Sequence, residues 1–319
     1  MTVFLAPTSN GLGSLISNLP AIQALFERGR APILVLRSQS QTAVAERIAG
    51  IAGTVMESDF SELHLASDDR FINLRDHPLQ TDFVWGSDEF FAAFPDTYFE
   101  DMFKTICHDK GIEISYERLQ PLKYKVCKQA VNKVILVPGS NGRQKCWPVS
   151  HFVQLWQTLQ NLGYDSAMVG EPERSEFVKG LLESGVPWIE TKTFGDAIDA
   201  VSSARAVVSV DTGLLHVAIH QEIATVGLFR AANMILKERA HARYLKAQRC
   251  SRACLDAQFA HVTNKKVNFD STGGLSAEQF YWLRWDCAEP DTLRCMANIT
   301  VDKVVEALLP LLSTTTRTW

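Results

Sequence analysis

The opening residues, MTVFLAPTSNGLGSL, have no basic cluster, no long apolar stretch and no A-x-A cleavage pattern. No signal peptide is therefore expected, and the expected location is cytoplasmic. No apolar run approaches the roughly 18 residues needed to cross a bilayer, which leaves at most peripheral membrane contact. Positive charge is scarce too: 32 Lys and Arg against 36 Asp and Glu give a net charge of −4. That balance excludes the broad basic surface of a nucleic-acid binder, so any phosphate must be held locally. The seven cysteines, Cys107, Cys127, Cys146, Cys250, Cys254, Cys287 and Cys295, are odd in number and unevenly spaced, unlike a secreted disulfide scaffold. Short-period repeats are absent. The one biased tract is the Thr-rich tail Ser313–Thr318, which reads as a frayed terminus.

What is present is length and apolar content. The 319 residues, 46% of them hydrophobic, suffice for two domains, each with its own core. Short β-rich runs alternate with stretches of helical period, the pattern of a parallel sheet covered by helices, and the series occurs twice. Val3–Ala6, Ile33–Arg37 and Phe71–Leu74 read as strands, with helices at Ser14–Arg28 and Gln41–Ala52. Leu15, Leu19, Ile22 and Leu25 share one face of the first helix. The second series has strands at Val134–Val137, Ser166–Val169, Trp188–Ile189, Ala206–Val210 and Ala224–Phe229. Helices are expected near Ser150–Leu162, Arg174–Ser184 and Phe194–Ser203 and from Gly213. The polar segment Glu113–Asn132, with Pro121, is the expected linker, dividing residues 1–125 from 126–319. An extension rich in cysteine, about 249–296, and a closing helix, Val301–Leu312, complete the second domain. That helix is expected to cross back onto the first domain. In such sheets ligands bind beyond the carboxyl ends of the strands, so the loops there carry most weight.

Three loops stand out. The first, Thr8–Ser14, places Gly11 and Gly13 between a strand and a helix, where free backbone N–H groups can meet a ligand. A dinucleotide fingerprint is incomplete, because Ile16 stands where the third glycine belongs and no acidic ribose partner ends the second strand. A tight turn without a ligand is the alternative, and it fits better than a dinucleotide site. The second loop, Pro138–Pro148, combines Ser140 and Asn141 with Arg143 and Lys145 and suits a diphosphate; a solvated basic loop is the alternative. The third, Asp211-Thr212-Gly213-Leu214-Leu215-His216, follows a strand. Thr212 or Asp211 can cap the helix there, whose N-terminal amides favour an anion. His216, one turn further in, reads as a core histidine or as a site residue.

Taken together, VPGSNGRQKCWP at Val137–Pro148, SVDTGLLHVA at Ser209–Ala218 and, more loosely, GLGSLISNLPAIQAL at Gly11–Leu25 resemble glycosyltransferase family 9, the heptosyltransferase-like enzymes. The resemblance spans nearly the whole chain. It implies the GT-B fold, two facing Rossmann-like domains around a cleft, with a nucleotide-diphosphate sugar such as ADP-heptose on the C-terminal domain. The acceptor hydroxyl, of a lipopolysaccharide core, a protein or a small molecule, would meet the N-terminal domain. By motif, Ser140, Asn141 and Lys145 would hold donor phosphates. The amides at Thr212, Gly213 and Leu214 would meet the diphosphate, Asp211 and His216 would position sugar and phosphate, and Glu171 or Glu173 would contact ribose or base. The implied chemistry is inverting transfer without a catalytic metal, fixed cations and helix amides stabilising the leaving charge.

One departure matters. The family has an aspartate, read as the general base, where this chain has Ser14 after Gly13, and a serine hydroxyl is a poor base near neutral pH. The nearest replacements are in Asn73-Leu74-Arg75-Asp76-His77-Pro78 and at Asp82. Asp76 is the preferred substitute, with Gly11, Gly13, Ser14, Asn73 and Arg75 on the acceptor side; the bland alternative is a turn held by an Asp–Arg contact. A catalytically silent nucleotide-sugar binder is the competing function, and a Rossmann oxidoreductase a third.

Cys250, Cys254, Cys287 and Cys295 form two close pairs that could make a tetrahedral thiolate site for iron or zinc, although free buried thiols fit the spacing as well. YWLRWDC at Tyr281–Cys287, RCMANIT at Arg294–Thr300 and RFINLRDHPLQTDFVWGSDEF at Arg70–Phe90 are similar to the bacterial autotransporter heptosyltransferases, which implies a structural four-cysteine iron finger. Cys107, Cys127 and Cys146 read as bystanders, with Cys146 somewhat reactive beside Lys145.

Overall fold

A computed structural model describes residues 1–8, 11–60, 62–81, 98–117, 119–140, 145–230, 236–247 and 294–314. These fall into two compact units: residues 1–123 with 236–237, and residues 124–230 with 238–247 and 294–314.

The N-terminal unit has four parallel strands, β1 (Val3–Ala6), β2 (Ile33–Leu36), β3 (Gly53–Met56) and β4 (Arg70–Asn73), in the order β3-β2-β1-β4. The apolar runs VFLA and ILVL occupy the centre because helices cover both faces of a parallel sheet and leave little room for alternation. β3 and β4 lie outermost and are more exposed. The helices are α1 (Leu12–Ser17), α2 (Leu19–Glu27), α3 (Gln39–Ala45), α4 (Glu57–Phe60), α5 (Pro78–Thr81) and α6 (Phe99–Asp109).

The single helix expected over Ser14–Arg28 is two helices broken at Asn18. Pro20 has no N–H to give the Ile16 carbonyl, so the ladder must restart there. The buried Asn18 amide holds the break: it accepts from the Thr8 N–H at 3.0 Å and donates to the Thr8 hydroxyl at 2.9 Å and the Ser14 carbonyl at 2.6 Å. Leu15, Leu19, Ile22 and Leu25 are nonetheless all buried. β3 and α6 were not expected from the sequence.

The C-terminal unit has five parallel strands, β5 (Val134–Val137), β6 (Ser166–Met168), β7 (Ala206–Val210), β8 (Ala224–Phe229) and β9 (Ala242–Lys246), in the order β6-β5-β7-β8-β9. Its helices are α7 (Val149–Asn161), α8 (Glu176–Glu183), α9 (Phe194–Ser202), α10 (Gly213–His220), α11 (Arg294–Ala297) and α12 (Val301–Thr314). Every residue of β5 to β8 is buried. The strand expected at Trp188–Ile189 is only a bridge from Trp188 to Met168, and β9 was not expected.

α12 belongs to the C-terminal unit. Val304, Leu308, Leu311 and Leu312 pack into the core of their own unit with Trp147, Phe152 and Leu155. Their spacing supplies an apolar stripe but not its partner, and the adjacent sheet face takes it.

Candidate active site

β5 and β7 are neighbours, with Val137 paired to Ser209, so the loops beyond them leave the sheet side by side. Ser140 Oγ donates to the Asp211 carbonyl at 2.9 Å, and Lys145 Nζ donates to Asp211 Oδ2 at 2.6 Å. His216 Nε2 lies 4.0 Å from Asp211 Oδ1. The Asp211 and His216 side chains are 23% and 19% exposed, so the cluster is shielded but reachable. Burial pushes the Asp211 carboxyl up, yet the Lys145 ammonium and His216 together hold it below the ordinary carboxylate value. Burial lowers His216, with Lys145 adding to it against the opposing pull of Asp211, so the imidazole is neutral near pH 7. Lys145 is held in place because the next residues are anchored: Trp147 is fully buried and its indole N–H donates to the Ile299 carbonyl at 2.8 Å. Cys146 is buried in the apolar core, which removes the reactive role expected for it.

The expected helix cap is absent. Thr212 takes the N-cap position of α10 in an extended conformation, but its side chain accepts no capping bond, and the Asp211 carboxylate turns to Lys145. At α3, α8 and α9 the N-cap residues Ser38, Ser175 and Thr193 do accept one. The amides of Gly213 and Leu214 thus open α10 without a capping side chain, at the positive end of the helix and beside Lys145. Glu171 and Glu173 follow β6 and are exposed, with Glu171 paired to Arg174 at 2.9 Å. Asn141 and Arg143 lie outside the described residues.

In the N-terminal unit, Gly11 is the N-cap of α1, the Gly13 carbonyl accepts from the Ser17 hydroxyl, and the Ser14 carbonyl accepts from Asn18. The Asn73 side chain accepts from the Arg75 N–H at 3.1 Å. Arg75 is buried and ties strand ends together: it donates to the carbonyls of Pro7 (2.8 Å) and Val35 (3.2 Å) and to Glu57, which also holds Arg37 at 2.6 Å. Asp76 is exposed and pairs with Lys110, not with an arginine. The adjoining His77 accepts the Leu79 N–H at Nδ1, so its Nε2 carries the proton and donates to Asp109 at 3.1 Å. Consecutive residues at the end of α6 therefore fix consecutive residues after β4. A cleft of about 420 Å³ lies here, lined by Arg70, Asn73, Asp76, Asp109 and Lys110 among others. Asp82 is outside the described residues.

Of the four cysteines, Cys250, Cys254 and Cys287 lie outside the described residues. Cys295 is buried with Met296 and Ile299 in the C-terminal core. Among the described residues no three His, Cys, Asp or Glu side chains are grouped to hold a metal, so the described part of the tail shows no ligand set.

Three residues escaped the sequence reading. Asn18 and Glu57 brace the first sheet, and Arg230, only 9% exposed, directly follows β8. Arg230 could have been found by applying the strand-end rule to every strand of the second series.

Two parallel α/β units, one presenting a cation, a carboxylate and uncapped helix amides at its strand ends, have the architecture of a GT-B glycosyltransferase. Residues 98–261, more than half of the chain, match the model of glycosyltransferase family 9 (heptosyltransferase), and the chain belongs to that family. No curated protein matches it. A family 9 glycosyl transferase from Veillonella parvula shares the fold at TM-score 0.63 and 17% identity, covering 98% of both chains. E. coli heptosyltransferase WaaC, solved with ADP-2-deoxy-2-fluoro heptose, gives 0.58 and 13% over 78% of this chain and 94% of its own. The iron-containing dodecameric glycosyltransferase TibC of enterotoxigenic E. coli gives 0.61 and 13% over 99% and 77%. Among the described residues, no helix is long and apolar enough to cross a membrane.

Proposed function

We propose that this glycosyltransferase moves a sugar, heptose from ADP-heptose, onto an acceptor hydroxyl with inversion at the anomeric carbon. The observation that carries the reading is the cluster of Lys145, Asp211 and His216 beside the uncapped amides of Gly213 and Leu214. The ADP-heptose analogue held by WaaC supports the choice of donor.

The acceptor oxygen attacks the anomeric carbon as the bond to the diphosphate breaks, and negative charge builds on the departing phosphate. Lys145 and the first amides of α10 stabilise that charge, with Ser140 and Asn141 holding the loop and the phosphates. Asp211 orients Lys145, and Asp211 with neutral His216 positions the sugar. Glu171 or Glu173 contacts the ribose or base. Asp76 takes the acceptor proton in place of the missing first-loop aspartate, with Gly11, Gly13, Ser14, Asn73 and Arg75 shaping the acceptor side. The acceptor is a lipopolysaccharide core, another lipid-linked saccharide, a protein or a small molecule, and a cytoplasmic location fits a nucleotide-sugar donor. A structural iron or zinc on Cys250, Cys254, Cys287 and Cys295 is a separate reading that rests on thiolate chemistry and resemblance.

Ser14 favours one second reading, a silent donor-binding protein. Incubation with ADP-heptose and a panel of acceptors, with ADP release as readout, separates the two. Release that requires an acceptor supports transfer. Thermal stabilisation by ADP-heptose without release from any acceptor supports the silent binder.

A further inference from the structure

Asp76, read above as the group that takes the acceptor proton, sits on the loop after β4 with its side chain 55% exposed. A carboxylate in such a place turns among about three staggered χ1 wells unless something holds it. A general base must instead keep one oxygen within hydrogen-bond reach of the proton it removes. Lys110 is the holder. Its Nζ donates to Asp76 Oδ1, and no group among the described residues bonds Oδ2, which leaves that oxygen for a substrate hydroxyl. Both residues line the cleft of about 420 Å³.

The backbone of Lys110 is anchored on every side. It is the C-cap of α6, and its N–H donates to the carbonyls of the buried residues Ile106 and Cys107 at 3.1 Å. Its own carbonyl accepts from Arg70 Nη2 at 2.7 Å, which directs the other cation of the cleft away from Asp76. The chain then turns through Gly111 at φ 75°, where a Cβ would stand 3.2 Å from that same Nη2, and Ile112 is fully buried. The Lys110 side chain is only 27% exposed, so most of its stem is covered. One residue earlier, Asp109 accepts from His77 at 3.1 Å and ties down the loop beside Asp76 as well. An ion pair this exposed adds little to stability; what it supplies is orientation.

We infer that Lys110 is a positioning residue for the transfer: it grips Asp76 Oδ1 so that Oδ2 is presented to the acceptor hydroxyl. This role rests on the reading of Asp76 as the base, and the test keeps the two apart. ADP-heptose is the donor, and a deacylated lipopolysaccharide core oligosaccharide, a serine-rich peptide and water are the acceptor probes. ADP release, ADP affinity and thermal unfolding are measured for wild-type protein, Lys110→Met, Lys110→Arg, Asp76→Asn and the double variant of Lys110→Met with Asp76→Asn. Releasing Asp76 into its other wells should lower kcat in Lys110→Met by about three- to tenfold. Acceptor KM, ADP affinity and unfolding temperature stay unchanged, and Lys110→Arg restores most of the rate. In the Asp76→Asn background the same change lowers kcat by less than about twofold, because no carboxylate is left to orient. Unchanged kcat in Lys110→Met overturns the inference, as does an equal fall in both backgrounds or a loss that Lys110→Arg does not relieve. Asp76→Asn that releases ADP at the wild-type rate, or wild-type protein that releases none with any probe, overturns the reading of Asp76 as the base.

Discussion

At the carboxyl ends of the N-terminal strands the charged side chains bind the strands to one another. Arg75 reaches the carbonyls of Pro7 and Val35 and the carboxylate of Glu57, and Glu57 also holds Arg37. At the corresponding ends of the C-terminal strands, Lys145 and Asp211 also pair, but the adjacent helix opens on amides that Thr212 leaves uncapped. Gly11 likewise opens α1 without a side-chain cap, so the ends differ in their charges: buried Arg75 ties strands together, while Lys145 and Asp211 stay only half-buried. The difference teaches that clustered charge at a strand end does not by itself mark a binding site: a guanidinium only 2% exposed is a brace, whereas a pair 36% and 23% exposed stays within reach of a ligand.

The sharpest break of this contrast is at Asp76, the exposed carboxylate outside the brace. Asp76→Asn is expected to lower acceptor-dependent ADP release by about 10²-fold or more while leaving ADP affinity intact, and unchanged release would remove Asp76 from the mechanism. Lys145→Met attacks the other end. A fall of about 10²-fold in ADP release is expected, accompanied by weaker ADP binding, and a loss of turnover with full ADP affinity would contradict a phosphate-holding role.

Stability separates the units next. Trp147→Ala removes a fully buried indole and its bond to Ile299, and should cost about 3–5 kcal/mol in denaturant unfolding. Asn18→Ala in the N-terminal unit should cost about 1–3 kcal/mol by orphaning the Thr8 N–H. Equal losses would mean that the first loop is as deeply integrated as the second core.

The smallest expected effect is on pH. The folded value of His216 lies below its ordinary 6.5, so the unfolded chain binds more protons between the two values. Stability should therefore fall as pH drops below about 6.5, by at most about 1.4 kcal/mol per pH unit from this group. Asp211, whose folded value lies below 3.8, adds a further loss only in stronger acid. His216→Gln should flatten the first part of a stability profile measured between pH 7.5 and 5; an unaltered profile would assign it to other groups.

Much of the second unit was legible because its strands are unbroken apolar runs. VILV, AVVSV and ATVGLF can only be interior strands of a covered sheet, and the polar residues that follow each run are then placed at its end. That logic located Ser140, Lys145, Asp211 and His216. It faltered where local pattern and neighbours disagree. Helical periodicity continues through Asn18 with all its apolar positions buried, while Pro20 breaks the ladder. GTVM and ARYLK are weak strands that exist because a neighbouring strand offers them a pairing edge.

By itself the sequence determined the two α/β series, the strand ends that carry chemistry and the membership in a sugar-transferase family, because period, burial and motif are local properties of the chain. Tertiary structure alone decided which charges meet: Arg75 with Glu57, Asp76 with Lys110, Lys145 with Asp211, and α12 with its own sheet. Each of these joins residues distant in sequence, and a charge or an apolar stripe specifies the kind of partner it needs but not which one the fold will bring to it.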